Sequence, residues 1–178
     1  MSTVQPVPDD KDWTWVLERP CPECGFDASS VDRADVGDLV RANASAWQQV
    51  LARADVGARP VPARWSPLEY ACHVRDVFRR YLERLDLMLT QEGVHFPNWD
   101  QDATAIDDDY AGQRAVAVAV ELTRAGAALA DRFDTVADDQ WSRTGFRSDG
   151  ASFTVDTFAR YFVHDPIHHL WDVRQPDR

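Results

Sequence analysis

Three of the five histidines lie within six residues near the C-terminus, in the stretch FVHDPIHHLWDV. His164 and His168 are four residues apart, a spacing that stacks two side chains on one face of a helix. His169 is rotated by roughly 140° from His164 on an ideal helix, so the three do not share one ligand. Because two imidazoles alone bind metals weakly, a third donor is needed, and His73 in YACHVRD is the candidate. The alternative is that each histidine packs, caps or faces solvent.

A second pattern with metal-ligand chemistry is Cys21-Pro-Glu-Cys24-Gly, which has the form of one half of a zinc ribbon. A ribbon needs two such halves, and the sequence contains no second CxxC pair. Three interpretations therefore stay open: an inert or structural pair, reactive thiols at Cys21 and Cys24, or a metal shared with another group. Cys72 is rotated by roughly 100° from the histidine that follows it, so we expect it to pack in the core.

Other polar residues accompany the histidines. Arg80 and Arg84 follow on the same helix as the first candidate ligand and could bind an anionic cofactor or substrate. The alternative is that they pair with the acid-rich third helix and its flanks. Asn98, Asp100 and Asp102 occupy a long loop, from which they could reach the metal or the groups that support its ligands. A solvated acidic loop is the alternative for these three.

Four segments with helical periodicity must position these side chains. The predicted helices span about 37–54, 66–91, 110–134 and 154–173. The second has the best-marked start, because Ser66 is an N-cap, Pro67 takes the first helical position and Glu69 closes a capping box. Trp65 and Tyr70 fit a hydrophobic staple across the same start.

The remaining segments lack a period. Residues 93–109 predict a packed loop, and residues 1–34 predict an irregular N-terminal arm packed on the helices. Pro166 lies inside the last predicted helix, where it deletes one backbone hydrogen bond and should kink the axis. Four long helices with few plausible strands predict an all-α fold, an antiparallel four-helix bundle, with the bundle domain at 35–178.

Composition excludes some classes of partner. The 178 residues carry a formal net charge of -11, from 30 acidic and 19 basic residues, so the surface repels phosphate backbones and anionic lipids. We therefore expect neither nucleic acid nor membrane as a partner. No apolar run reaches the roughly 20 residues that span a bilayer, and the N-terminus MSTVQPVPDDKDW lacks a basic region followed by an apolar one. These features favour a cytoplasmic protein with reduced thiols.

Part of the sequence is similar to a known family. The segment RWSPLEYACHVRDVFRRYLERL, followed about 90 residues later by HDPIHHLWDV, resembles the DinB-like family of metal-dependent four-helix-bundle proteins. FPNWDQDATA and CPECGFD also resemble segments of its actinobacterial members. The resemblance covers roughly residues 36–174. It implies that His73, His164 and His168 hold a divalent metal, zinc or nickel, with positions left open for water or substrate.

The resemblance also implies a function. Better-understood members are thiol-dependent transferases and isomerases, in which the metal presents a low-molecular-weight thiol as a thiolate. Actinobacterial members are linked with mycothiol, so we expect a mycothiol-type S-transferase of detoxification type, with a small-molecule thiol and an electrophile as partners. The alternative is a non-catalytic, stress-related protein that binds a metal or a thiol. Family members often pair into dimers, which makes a homodimer a further expectation.

Overall fold

Five α-helices account for most of the computed structural model, which describes residues 6 and 11–175. The helices are α1 (Val36–Leu51), α2 (Pro67–Thr90), α3 (Gln101–Asp107), α4 (Ala115–Asp134) and α5 (Val155–Asp172). Within the described residues, α1, α2, α4 and α5 correspond to the four predicted helices. Single 3-10 turns occur at Thr14–Leu17, Ala28–Ser30, Arg33–Asp35, Tyr110–Gly112 and Asp138–Gln140. None of the described helices is long and apolar enough to cross a bilayer.

The predicted start of α2 is confirmed. The Ser66 hydroxyl oxygen accepts a hydrogen bond from the backbone amide of Glu69 at 3.2 Å, and the Glu69 carboxylate accepts one from the backbone amide of Ser66 at 2.8 Å. Trp65 and Tyr70 make an edge-to-face contact with ring centroids 5.5 Å apart, as a hydrophobic staple requires. These contacts fix where α2 begins, and therefore which way the following turn presents its side chains.

The long helices surround one apolar core. Helix α4 packs chiefly against α1 and α2, and α5 packs against the same two helices. The order around the core is therefore α1, α4, α2, α5, with α1 and α2 on opposite sides. Each helix contributes a fully buried large side chain: Trp47 from α1, Phe78 from α2, Leu122 from α4 and Phe162 from α5. Burying one such side chain contributes about 1.5–3 kcal/mol, so this core holds the bundle together.

A small sheet departs from the predicted all-α fold. Its strands are β1 (Val94–His95), β2 (Thr144–Phe146) and β3 (Ser152–Thr154), in the order β1-β2-β3. Gly145 lies opposite Val94 in the parallel pair and opposite Phe153 in the antiparallel pair. The segment 93–109, predicted as a loop, therefore contains β1 and α3. Strands of two or three residues are too short to show a period, which is why the sequence did not reveal them.

The N-terminal arm packs on α5 through its 3-10 turns. Val16, Phe26 and Val31 of the arm are buried, so the arm contributes side chains to the protein interior. Residues 1–5 and 7–10 of the predicted arm lie outside the described residues, as do residues 176–178 of the predicted bundle domain.

Helix α5 continues through Pro166. The side-chain amide of Asn43 on α1 donates to the Pro166 carbonyl at 2.8 Å, which ties the middle of α5 to the bundle. The rings of His164 and His168, which flank the proline, lie with their centroids 5.0 Å apart. The proline therefore does not prevent these two rings from converging.

Candidate metal centres

Helix α5 carries two overlapping pairs of potential ligands, each with four-residue spacing. His164 and His168 form one pair, and Asp165 and His169 form the other, rotated by roughly 100° around the helix. The first pair lies beside the cysteines of the N-terminal arm, and the second lies beside His73 of α2. One helix thus contributes to two separate groups of metal-ligating side chains.

The first group consists of Cys21, Cys24, His164 and His168, whose donor atoms all lie within 4.8 Å of one another. The Cys21 sulfur is 3.6 Å from Nδ1 of His168. Trp13 covers both histidines, with ring centroids 5.2 Å and 5.0 Å from theirs. The group is therefore enclosed between the arm and α5.

A tight turn presents the two sulfurs. The Cys21 amide donates to the Phe26 carbonyl at 2.8 Å, and the Gly25 amide donates to the Cys21 carbonyl at 2.9 Å. Gly25 has a φ of 74°, a left-handed conformation that favours glycine. The glycine of the CPECG motif thus lets the chain reverse direction directly after Cys24.

The second group consists of His73, Asp165 and His169, with donor atoms again within 4.8 Å of one another. Nε2 of His73 is 3.6 Å and Nε2 of His169 is 3.8 Å from Oδ1 of Asp165, too far for hydrogen bonds. Among the described residues, neither nitrogen of His73 nor Oδ1 of Asp165 has a hydrogen-bond partner, although these atoms are buried. An unsatisfied buried polar group costs about 1–3 kcal/mol, and a cation between these donors would satisfy all three residues.

Surrounding residues hold this second group in place. Nδ1 of His169 is 3.1 Å from the Asp172 carboxylate, which directs the opposite nitrogen toward Asp165. A carboxylate behind a ligating histidine is a common support in metal sites. Trp99 stacks on the His73 ring with an angle of 5° between planes, and Trp65 lies on the ring with centroids 5.4 Å apart. His73 is consequently fixed in orientation and shielded from water.

The charge states of the histidines in the first group and of Asp165 in the second suit metal binding. Burial, together with His168, lowers the pKa of His164 to about 4, and burial also lowers the pKa of His168. Both rings are therefore neutral at pH 7, the form that binds metals. Burial opposes ionisation of Asp165, but His169 and His73 outweigh it and lower the pKa of this carboxyl to about 2.

The cysteines lack the features of reactive thiols. Cys21 is only 1% exposed. Burial raises the pKa of the Cys24 thiol to about 11, whereas nucleophilic cysteines are accessible and have lowered pKa values. Of the three interpretations of this pair, the geometry favours a metal shared with another group. Cys72 is fully buried, as predicted, and lies in the core.

The structure does not bring the predicted ligands His73, His164 and His168 into one group. His73 lies with Asp165 and His169, whereas the other two lie with the cysteines. The angle between His164 and His169 separates these two side chains, but it leaves His169 on the same helix face as Asp165, four residues earlier. Which face of α5 meets α2 depends on the packing of the helices. The signal present in the sequence was the overlap of two four-residue spacings in HDPIHH.

A cavity of about 480 Å³ borders both groups, because His164 and His168 of the first group line it together with residues of the second. Its lining includes Asp165 and His169, the aromatic residues Trp13, Tyr81, Trp99 and Tyr161, and the cations Lys11, Arg84 and Arg147. Arg84 is 8% exposed, and no carboxylate of the described residues forms an ion pair with it. Its Nε has no partner in the described chain, and burial lowers its pKa. Arg80 instead pairs with Glu83 at 2.7 Å, so the two predicted arginines differ in role.

The three loop residues predicted to support the metal line this cavity. Asp100 caps α3, accepting the Ala103 amide at 2.9 Å. Oδ1 of Asn98 accepts the Ser148 hydroxyl at 3.3 Å. Neither Asn98, Asp100 nor Asp102 belongs to the two ligand groups. They form the polar wall of the cavity.

Comparisons with known proteins agree with this architecture. The family model of the DinB superfamily matches residues 37–173. The solved structure of YfiT from Bacillus subtilis, described as a probable metal-dependent hydrolase with an unusual four-helix bundle topology, is similar with a TM-score of 0.70. The likeness covers 81% of this chain and 88% of YfiT at 16% sequence identity, so it concerns the fold. No curated protein sequence matches this chain significantly.

Proposed function

The chain belongs to the DinB superfamily, and on that basis we propose that it is a divalent-metal-dependent transferase that activates a low-molecular-weight thiol of the mycothiol type. The observation that carries this proposal is the group formed by His73, Asp165 and His169, which has unsatisfied buried donors and borders a cavity of about 480 Å³. Metal dependence is also attributed to YfiT, whose fold is similar.

The donor set supports an open metal site. Three protein ligands leave coordination positions vacant, as in catalytic zinc sites that use two histidines and a carboxylate. The same set suits ferrous iron, so zinc and nickel are not the only candidates. A divalent cation held there would supply the positive charge that keeps a thiol deprotonated near neutral pH. Because Asp165 contributes one negative charge, the site retains one net positive charge rather than the two of a three-histidine site.

The cavity walls support a substrate with both polar and negatively charged parts. Arg84 presents a buried guanidinium with no carboxylate partner among the described residues, and it can bind an anionic group of the electrophile. Asn98, Asp102 and Ser148 offer hydrogen-bonding groups, and Trp99 offers an aromatic surface. Sugar hydroxyls bind such polar groups and sugar rings pack on aromatic rings, which fits a thiol that carries sugars, as mycothiol does.

Two other functions would use the same residues. The description of YfiT as a probable metal-dependent hydrolase makes water an alternative nucleophile in the same site. A protein that binds a metal or thiol without catalysis is the second alternative. The three functions differ in how the reaction responds to added thiol. A transferase requires the thiol, a hydrolase reacts without it, and a binding protein catalyses no reaction in either case.

The test measures thiol transfer by the zinc- or nickel-loaded protein to a chromogenic electrophile, with mycothiol, cysteine and glutathione in parallel. A free thiol has a pKa of about 8.5, so only a few per cent is thiolate at pH 7. The rate gain over solution should therefore be largest near and below neutral pH and should fade toward about pH 9. His169→Ala should remove most of the gain. His95→Ala is the matched control, because His95 is exposed and lies outside both groups.

Each contrary result has a definite meaning. Equal rates for wild type and His169→Ala with every thiol would favour the non-catalytic protein. A metal-dependent rate on activated esters that ignores added thiol would favour the hydrolase. A response to cysteine alone would retain thiol activation and exclude mycothiol as the partner.

A further inference from the structure

The group of Cys21, Cys24, His164 and His168 has the composition of a closed zinc site. Two thiols and two imidazoles are a common ligand set of four-coordinate structural zinc. With zinc–sulfur bonds of about 2.3 Å and zinc–nitrogen bonds of about 2.0–2.1 Å, tetrahedral geometry places a sulfur about 3.5 Å from a nitrogen. The observed separation between the Cys21 sulfur and Nδ1 of His168 is 3.6 Å. The spacing is thus that of two ligands on one zinc ion.

A second, independent observation is an unsatisfied atom. Nε2 of His164 is buried and has no hydrogen-bond partner in the part of the chain that the structure describes. His164 is 3% exposed, so solvent does not compensate for the missing partner. One of its ring nitrogens lies within 4.8 Å of the sulfurs of both cysteines. A cation at the centre of the group would satisfy this nitrogen.

We propose that these four residues bind a structural zinc ion that fastens the N-terminal arm to α5. The arm has only 3-10 turns in its described part, so it holds its place through side-chain packing and little regular hydrogen bonding. A zinc ion there cross-links residues that are 147 positions apart, counted between Cys21 and His168. All four positions are filled by protein, so the site is not catalytic.

This site also shapes the cavity. Trp13 rests on the rings of His164 and His168 and forms part of the cavity wall. Zinc that holds these histidines would therefore hold Trp13 in place. The inference goes beyond the proposed function and does not depend on it, because the structural zinc can be present in a protein without any catalytic activity.

The test uses cobalt(II) in place of zinc in the full-length protein, after metal removal under reducing conditions. Thiolate-bound cobalt absorbs strongly in the near ultraviolet through sulfur-to-metal charge transfer, whereas cobalt bound only by nitrogen and oxygen does not. We expect this band in the wild type, with an intensity that corresponds to one thiolate-bound cobalt per chain, and its loss when zinc is added. This measurement needs no variant, so a failure of mutants to fold cannot obscure it.

Variants then assign the ligands. Cys21→Ser and Cys24→Ser should each reduce the band about two-fold, in proportion to the thiolates removed, and the double variant should abolish it. Cys72→Ser is the matched control, because Cys72 is buried but lies outside both groups, and it should keep the full band. Cobalt that binds to the wild type without a thiolate band would overturn the proposal and indicate a cluster of hydrogen-bonded thiols and imidazoles. Equal loss of the band in Cys72→Ser would also overturn it.

Discussion

The two faces of α5 present the same four-residue spacing to different neighbours. One face turns His164 and His168 toward a CxxC turn in the N-terminal arm, and the other turns Asp165 and His169 toward a single histidine of α2. The first group is completed by two sulfurs and leaves no position free. The second has only three donors, so a metal held there would keep coordination positions open, and the cavity that borders both groups gives access to them. Identical spacing on one helix thus provides two environments, and the facing element determines which chemistry each can perform.

In a third polar cluster, formed by Arg75, Asp76 and Tyr110, the polar side chains find their hydrogen-bond partners within the protein. The Asp76 carboxylate accepts the Tyr110 hydroxyl at 2.6 Å and two bonds from Arg75 at 2.9 Å each. These groups complete one another without a ligand. The histidine groups on α5 do not, since His73 and His164 both have unpartnered nitrogens within the described chain. Unsatisfied donors therefore distinguish the candidate metal groups from an ordinary buried ion pair.

The largest expected effect comes from dismantling the closed group. At free zinc a thousand times the Kd, a bound ion adds about 4 kcal/mol to the free energy of unfolding. Replacing both cysteines, Cys21→Ser with Cys24→Ser, should remove this contribution, measured by urea unfolding in a zinc buffer and in chelator. Cys72→Ser should retain the zinc response. Equal zinc responses in the double variant and wild type would show that the closed group holds no zinc.

The open group should affect rate more than stability. His169→Ala removes one ligand, and we expect a loss of about 100-fold in thiol-transfer rate, which corresponds to about 2.7 kcal/mol of barrier. The melting temperature in chelator should stay near that of wild type, since His169 is only partly buried. A loss of unfolding free energy in the metal-free His169→Ala variant as large as the increase in its reaction barrier would show that His169 has a structural role. The contrast between the two faces of α5 would then be wrong.

Removing charge from the open group should have a smaller effect. Asp165→Asn keeps the shape of the side chain but removes its negative charge, so metal affinity should fall about tenfold, or about 1.4 kcal/mol. Competition with a chromogenic chelator measures this change. Asp149→Asn serves as the control, because Asp149 lines the same cavity but is bound by Arg147. An equal loss of metal affinity in Asp165→Asn and Asp149→Asn would indicate that the affinity depends on the total negative charge of the cavity. It would contradict direct binding of the metal by Asp165.

The smallest effect is expected in the satisfied cluster. Tyr110→Phe removes one hydrogen bond and should cost about 1 kcal/mol of stability without changing metal content. Burial opposes ionisation of Asp76, but hydrogen bonds from Arg75 and Tyr110 lower the pKa of this carboxyl. The unfolded chain therefore binds more protons than the folded one below about pH 4, and stability falls as pH falls through this window.

The free energy of unfolding of Tyr110→Phe should fall less steeply in acid than that of the wild type, because the variant lacks the Tyr110 hydrogen bond, which helps to lower the pKa of Asp76. Urea unfolding between about pH 3 and pH 5 measures the slope. A change in bound metal in Tyr110→Phe would mean that the satisfied cluster is coupled to the candidate centres after all.

Sequence patterns were sufficient for the long helices but not for the short elements. The start of α2 was predictable because Ser66 and Glu69 satisfy the first amides locally, and this local chemistry is visible in the sequence. The sheet was not predictable, since β1 gains its partner only when residues some 50 positions away fold beside it. Helix α3 has seven residues and none of them is buried, so it has no apolar stripe to recognise.

The grouping of the candidate metal ligands also depends on contacts between distant parts of the chain. The histidines and the CxxC pair stood out by residue type and spacing, but their grouping depends on how α5 is rotated against its neighbours. The half-ribbon Cys21–Cys24 lacked a visible partner because its partner is a histidine pair on α5, far along the chain. The overlapping spacings in HDPIHH place Asp165 on one face with His169, but only the packing of α5 against α2 brings His73 beside this carboxylate.

The most direct test of two separate centres is the number of metal ions that His73→Ala, His164→Ala and the combined variant retain. Elemental analysis after loading with zinc and removal of loosely bound ions provides the count, with His95→Ala as control. We expect two ions per chain in the wild type, one in each single variant and none in the combined variant, because the histidines belong to different groups. A combined variant that loses no more than either single variant would contradict this account and would mean that His73 and His164 hold one shared ion.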